Sequence, residues 1–149
     1  MRRRGKRGGL AQAIGRSRGG RTTKVHAVVD GLGRPIALLI TPGQLGDLRA
    51  AIALIGPLPA ADLCLADCAY DSHGFRSFLA SRGTRAVVPN NRTRKHPYPF
   101  DRQAYRRRNL VERMFSRLKD FRRIATRYDK LAVTFDAAVC LAATVTWWL

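Results

Sequence analysis

The chain has 149 residues, 28 Lys or Arg against 10 Asp or Glu, and a formal net charge of +18. That length holds one domain with a real core and excludes two, and 46% hydrophobic residues exclude a disordered basic tail. Such an excess of positive charge implies a polyanionic partner, nucleic acid first, because solubility alone needs far less.

Residues 1–24 carry nine Lys or Arg, six Gly and no acid. No periodicity persists, so the segment reads as a flexible basic arm ordered by phosphates, with Arg16, Arg18 and Arg21 as candidate DNA contacts. Two apolar, β-branched runs follow, Val25 to Val29 and Pro35 to Ile40, on either side of Asp30-Gly31-Leu32-Gly33. This is a hairpin signal, in which His26 is a sheet residue. "GDLRAAIALIG" predicts a short helix capped by Asp47 and stopped by Gly56. "LCLAD" predicts a buried strand ending at Asp67. "YDSHGFRSFLASRG" predicts a helix capped by Asp71 or Ser72, with Gly83 just past its end. "TRAVVP" is a short strand closed by Pro89, and "NNRTRKHPYPF" a basic loop. A long helix is expected from near Asp101 to about Ile124, and a last, buried helix from Thr134 to Trp148 with Trp147 and Trp148 as core anchors. Strands that meander and then alternate with helices imply an α/β fold with a mixed sheet covered by helices.

Three cysteines, Cys64, Cys68 and Cys140, have no zinc-like spacing and read as reduced thiols of a cytoplasmic protein. The apolar C-terminal run is shorter than the roughly 20 residues a membrane span needs and contains Asp136.

Glu112 is the only glutamate in the chain. At about 100° per residue, a helix that starts Tyr105 at zero places Arg108 near about 300°, Glu112 near about 340° and Lys119 near about 320°. Leu110, Val111, Met114, Phe115, Leu118 and Phe121 form the core face, and Arg106, Arg113 and Arg117 an outward arc. Arg108 and Glu112 at i and i+4 suit an ordinary surface ion pair worth a few tenths of a kcal/mol. A carboxylate beside a tyrosine and two cations also suits a divalent metal with phosphate gripped alongside. Metal-assisted phosphoryl chemistry needs more than one acid. A second acid is expected at the carboxyl end of a strand, where Asp67 is placed.

The combination of "LADCAYDS" with Tyr105, Arg108, Glu112 and Lys119, spaced Y-x2-R-x3-E-x6-K, resembles the DDE transposases of bacterial insertion sequences, four/five group. "GRSRGGRTTKVHAVVDGLGRPI" resembles that family's stretch before its hairpin, and Cys68 stands where the family usually has Lys. The resemblance covers residue 11 to the C-terminus. It implies a ribonuclease-H-like fold over residues 25–149, with Asp67 and Glu112 as the second and third catalytic acids and ligands of Mg2+ or Mn2+. It implies DNA-phosphate contacts by Tyr105, Arg108 and Lys119, and DNA cleavage and strand transfer at transposon ends and target. The family's first acid lies on a first strand upstream of the Gly-rich stretch. Here no acid precedes Asp30, and Asp30 sits in a turn. The expectation is a domain without its first strand: a downstream-frame product, a decayed fragment, or a partner of a separate upstream chain. A homo-oligomer is a further partner consistent with the resemblance. The competing readings are a catalytically inactive, truncated transposase or other basic protein that only binds DNA, and a ribosomal-type protein, against which the apolar last helix argues.

Overall fold

The computed structural model describes residues 12–17 and 20–149. Strands β1 (Gly15–Ser17), β2 (Gly20–Val29) and β3 (Pro35–Pro42) form an antiparallel sheet in that order. The predicted arm therefore gives way to sheet well before residue 25, with Arg16 and Arg21 as backbone partners across β1 and β2. Thr22 and Thr23 are β-branched and extend the run of Val25 to Val29. Arg18 lies outside the described residues.

The β2–β3 hairpin forms as the sequence predicts, and Asp30 explains its turn. One carboxylate oxygen accepts from the amides of Leu32 (2.9 Å) and Arg34 (3.0 Å), and the other from Arg34 Nε (2.7 Å). Gly33 takes φ +83°, a conformation that favours glycine. Burial alone would raise the Asp30 pKa, but the Arg34 and Leu32 hydrogen bonds hold it below the usual carboxylate value.

Helix α1 (Asp47–Ile55) has Gly46, which carries no capping side chain, at its N-cap position, and Asp47 is its first helical residue rather than its cap. Asp47 turns instead to Lys24 Nζ on β2, at 2.7 Å, because an ion pair to the sheet competes with the capping role. Strand β4 (Leu63–Leu65) pairs in parallel with β5 (Arg85–Val87). Between them lie a 3-10 turn (Cys68–Tyr70) and helix α2 (His73–Ser81). Ser72 caps α2 through its hydroxyl, which accepts from Phe75 N at 3.0 Å, and Gly83 follows the helix at φ +72°.

The expected long helix is three pieces: α3 (Arg102–Tyr105), a 3-10 turn (Arg106–Arg108) and α4 (Asn109–Lys119). Asp101 caps the first piece, accepting from Ala104 N at 2.9 Å. The helix ends at Lys119, short of Ile124. Phe121 is extended, 40% exposed, and precedes a separate turn α5 (Arg122–Ala125), so it leaves the core face expected of it. Helix α6 (Ala132–Trp147) starts earlier than expected and is buried along one face only. Val133, Leu141 and Val145 face outward on it. Trp147 packs against the core, whereas Trp148 is 48% exposed and donates its indole N–H to the carbonyl of Pro35.

The predicted single mixed sheet is thus two sheets, each with its own apolar cluster. Met114 and Leu118 of α4 join Phe135 and Val139 of α6 over Val25, Ala27 and Leu38 of the hairpin. Phe75 and Leu79 of α2 join Ala51 of α1 near Cys64 and Ala86 of β4 and β5. Each fully buried Leu or Met contributes about 1.5–3 kcal/mol, so α4 is anchored on the hairpin side. Burial lifts the Cys64 thiol to about 11, which leaves it protonated at neutral pH, and all three cysteines are free. No helix among the described residues is long and apolar enough to cross a membrane.

Candidate functional site

Asp67 stands just past the carboxyl end of β4 and starts the 3-10 turn, one carboxylate oxygen accepting from Ala69 N at 3.0 Å. The apolar run from Leu63 to Ala66 holds the strand in place, so the acid emerges at a fixed point of the sheet edge. Arg108 closes the 3-10 turn before α4, and Glu112 lies one helical turn further on.

These three side chains meet. Arg108 Nη1 donates to Glu112 Oε1 at 2.6 Å and Nη2 to Asp67 Oδ2 at 3.1 Å. One guanidinium therefore links acids 45 positions apart in the sequence (112 minus 67). The side chains are 39% exposed at Asp67, 63% at Glu112 and 24% at Arg108. Burial works against the charge on Arg108, but Tyr105, Glu112 and Asp67 outweigh it and hold its pKa above the ordinary arginine value.

Tyr105 flanks this trio, packed edge-on against Phe100 with ring centroids 5.1 Å apart. Burial, reinforced by Asp67, raises its pKa, so its hydroxyl stays protonated and able to donate to a phosphate oxygen. Burial likewise pushes Tyr70 up to about 12, with Asp47 and Asp67 adding to the effect. Lys119, the last member of the predicted stripe, is exposed and makes no hydrogen bond or ion pair among the described residues. It lines a separate cleft of about 650 Å³ with Thr23, Phe115 and Arg127. Glu112 and Lys119 share α4 seven residues apart, about 10 Å along its axis, so the separation is axial; the 3-10 turn, whose residues each advance by about 120° instead of about 100°, rotates Tyr105 rather than Lys119 relative to Glu112. Arg106, Arg113 and Arg117 are exposed, as expected of the outward arc.

The start of α4 is also tied to the hairpin tip. Arg107 Nη2 donates to the Gly31 carbonyl at 3.2 Å, and a Cβ on Gly33 would lie 3.4 Å from Leu110. The hairpin tip thus braces the start of α4, from which Arg108 reaches the end of β4.

Two carboxylates on one edge are hard oxygen donors of the kind a divalent magnesium-type cation prefers. The set fits such an ion in donor type but is short in number: no group of three or more His, Cys, Asp or Glu among the described residues could hold a metal.

Sequence reasoning missed a second constellation. Asp71, expected only as a possible helix cap, has a side chain with 0% exposure. It accepts from Arg76 Nε (3.0 Å), Arg94 Nε (2.8 Å) and the amide of Asn91 (2.7 Å). Although burial opposes the charge, these donors bring the Asp71 pKa down to about 2. Both guanidinium groups lie over the Tyr98 ring, at 4.3 and 4.9 Å. This clasp fixes the basic loop against α2. Arg76 lies on α2, but Asn91 and Arg94 lie in a loop without periodicity, so no local pattern announces them.

The chain matches the family described as "Transposase DDE domain" over residues 7–147. Two relatives are named "Putative transposase for insertion sequence element", IS6501 in Brucella ovis and IS402 in Burkholderia cepacia. The first is 39% identical over 127 residues, which is 85% of this chain and 98% of the relative. The second is 28% identical over 137 residues, 85% of this chain and 63% of the relative. No solved structure matches the chain.

Proposed function

The chain belongs to the DDE transposase family of insertion sequences, and on that premise we propose that Asp67 and Glu112 are two of the acids that cut and join DNA. The observation that carries this is the single guanidinium shared by the two carboxylates, which brings both to one exposed edge of a strongly basic chain. The family is typically metal-dependent. Asp67 and Glu112 would hold the ion, magnesium or manganese, together with further oxygen ligands from outside this pair. Bound there, a divalent cation supplies charge stabilisation on phosphate oxygens and a more acidic water.

The residues of the chain do the rest. Tyr105 offers a protonated hydroxyl and Arg108 a forked cation to the phosphate being cut. Lys119 holds the strand further along the helix. Arg16, Arg18 and Arg21, with the exposed Arg106, Arg113 and Arg117, grip backbone phosphates without reading sequence.

The fold proposed for this activity is ribonuclease-H-like, with a further strand, bearing the remaining acid, between β2 and β4. Support comes from the pairing: from Lys24 to Val29, β2 pairs only with β3, and β4 only with β5, among the described residues. Open strand edges recruit partners, and the apolar interior is split into two clusters at this place. A product of an upstream frame of the same element, or a longer form of this chain, would supply that strand.

The test is nicking of DNA carrying the element's ends, in magnesium, by the chain with the upstream-encoded segment joined to it. Asp67→Asn and Glu112→Gln are each expected to lower the rate at least about a hundredfold. Full activity in either variant would end the assignment.

A second reading has its own support. With one arginine between two acids and no third acid beside them among the described residues, the 149-residue chain acts on its own as a DNA binder competing for transposon ends. That predicts salt-sensitive, metal-independent binding. Magnesium-dependent cleavage by the chain alone would overturn it.

A further inference from the structure

We propose that Arg108 is the resident cation of the Asp67–Glu112 pair: it holds the two carboxylates together in the absence of metal, competes with a divalent ion for them, and is released toward phosphate when the ion binds. This rests on the pair being a metal site, as proposed above.

The fork is divided rather than bidentate. Arg108 spends one terminal nitrogen on Glu112 Oε1 and the other on Asp67 Oδ2. The remaining Asp67 oxygen is occupied by the Ala69 amide. The oxygens that face the common gap are therefore the ones an ion shared by both acids would need. The i, i+4 relation explains the contact to Glu112 but not the reach across 41 positions to Asp67.

The charge count argues the same way. Two carboxylates and one guanidinium leave −1 at the site. A divalent ion added with Arg108 in place would make it +1, inside a chain of net charge +18. Arginine cannot relieve that repulsion by losing its proton. It has to move, and Arg108 is one-quarter exposed, on a side chain with several rotatable bonds. A phosphate oxygen is the natural acceptor for the freed fork. By linkage, phosphate that draws Arg108 away raises metal affinity, and metal that displaces it raises phosphate affinity. The acids would then hold an ion more tightly when DNA is present.

The experiment is a titration of the full chain with Mn2+ alone at low salt, with free ion read by electron paramagnetic resonance. Arg108→Gln is expected to bind Mn2+ about tenfold more tightly than wild type, the effect of removing one cation a few ångströms away. Arg108→Lys keeps the charge, but its single ammonium cannot span both acids, and it should fall between the two. Arg122→Gln, at an exposed arginine beyond the end of α4 with no role in the site, should change affinity less than about twofold. Circular dichroism checks that each variant is folded. If Asp67→Asn weakens Mn2+ binding while Arg108→Gln and Arg108→Lys bind no tighter than wild type, the competition is wrong and the metal site stands. If neither Asp67→Asn nor Glu112→Gln affects Mn2+ in any background, the metal site itself is wrong and the competition falls with it.

Discussion

Asp67 and Asp71 are four residues apart, both follow β4, and both end on arginine, yet their surroundings are opposite. At Asp71 two arginines and a backbone amide converge on one carboxylate with no exposure. At Asp67 and Glu112 two carboxylates share one arginine and stay open to solvent. The first arrangement has all its hydrogen bonds made and no room for a ligand, which is how a structural ion cluster is built. The second keeps a surplus of negative charge on an otherwise positive molecule, which is what a cation or a phosphate-handling reaction requires. The ratio of acids to arginines, together with exposure, separates scaffold from site where residue type alone does not.

The sharpest way to break this contrast is to neutralise each acid and measure stability. Asp71→Asn leaves two arginines around an uncharged amide and should lower the unfolding free energy by about 3–5 kcal/mol in urea denaturation. Asp67→Asn removes one side of a part-exposed pair and should cost less than about 1 kcal/mol. Equal losses would mean that both clusters are structural.

Acid titration sharpens the contrast further. The Asp71 pKa is held to about 2 against an ordinary aspartate value of 3.8. A carboxylate depressed on folding stabilises fully above its unfolded pKa and loses that contribution as pH falls through the folded one. About 2 kcal/mol should therefore disappear between pH 4 and about pH 2. Asp71→Asn should lack this component, whereas Asp67→Asn should retain it. Urea midpoints at a series of pH values read both.

A smaller effect is expected at the hairpin tip that braces α4. Gly33→Ala places a side chain at φ +83° and 3.4 Å from Leu110, and should cost about 1 kcal/mol. Because Arg107 is tied to the same tip, the effect of Gly33→Ala on strand cutting should exceed that of a surface change such as Arg122→Gln.

What the sequence made legible was local. The Asp30–Gly33 turn, the Ser72 cap and the Arg108–Glu112 spacing each depend on residues a few positions apart, and the structure contains all three. The pairing of Asp67 with Glu112 rested on Asp67's place at a strand end and on family resemblance, whereas the contact of Asp67 with Arg108 was not legible, because nothing in a spacing of 41 residues says that two side chains will touch. The end of α4 at Lys119 was not legible, since neither Gly nor Pro marks the break before Phe121. Nor was the capture of Asp47 by Lys24 or of Asp71 by Arg94, in which distant cations outbid a local role. The extension of β2 back to Gly20 was hidden by a composition of Gly and Arg that suits an arm as readily as an edge strand.

Metal-directed cleavage of the backbone tests most directly whether Asp67 and Glu112 form one site. With Fe2+ and ascorbate in air, radicals generated at a bound iron cut only the nearby chain. Two sets of fragments are expected from the same sample, one ending around residue 67 and one around residues 108–112, both suppressed by excess Mg2+. Cutting at only one of these places, or at neither, would contradict a shared site.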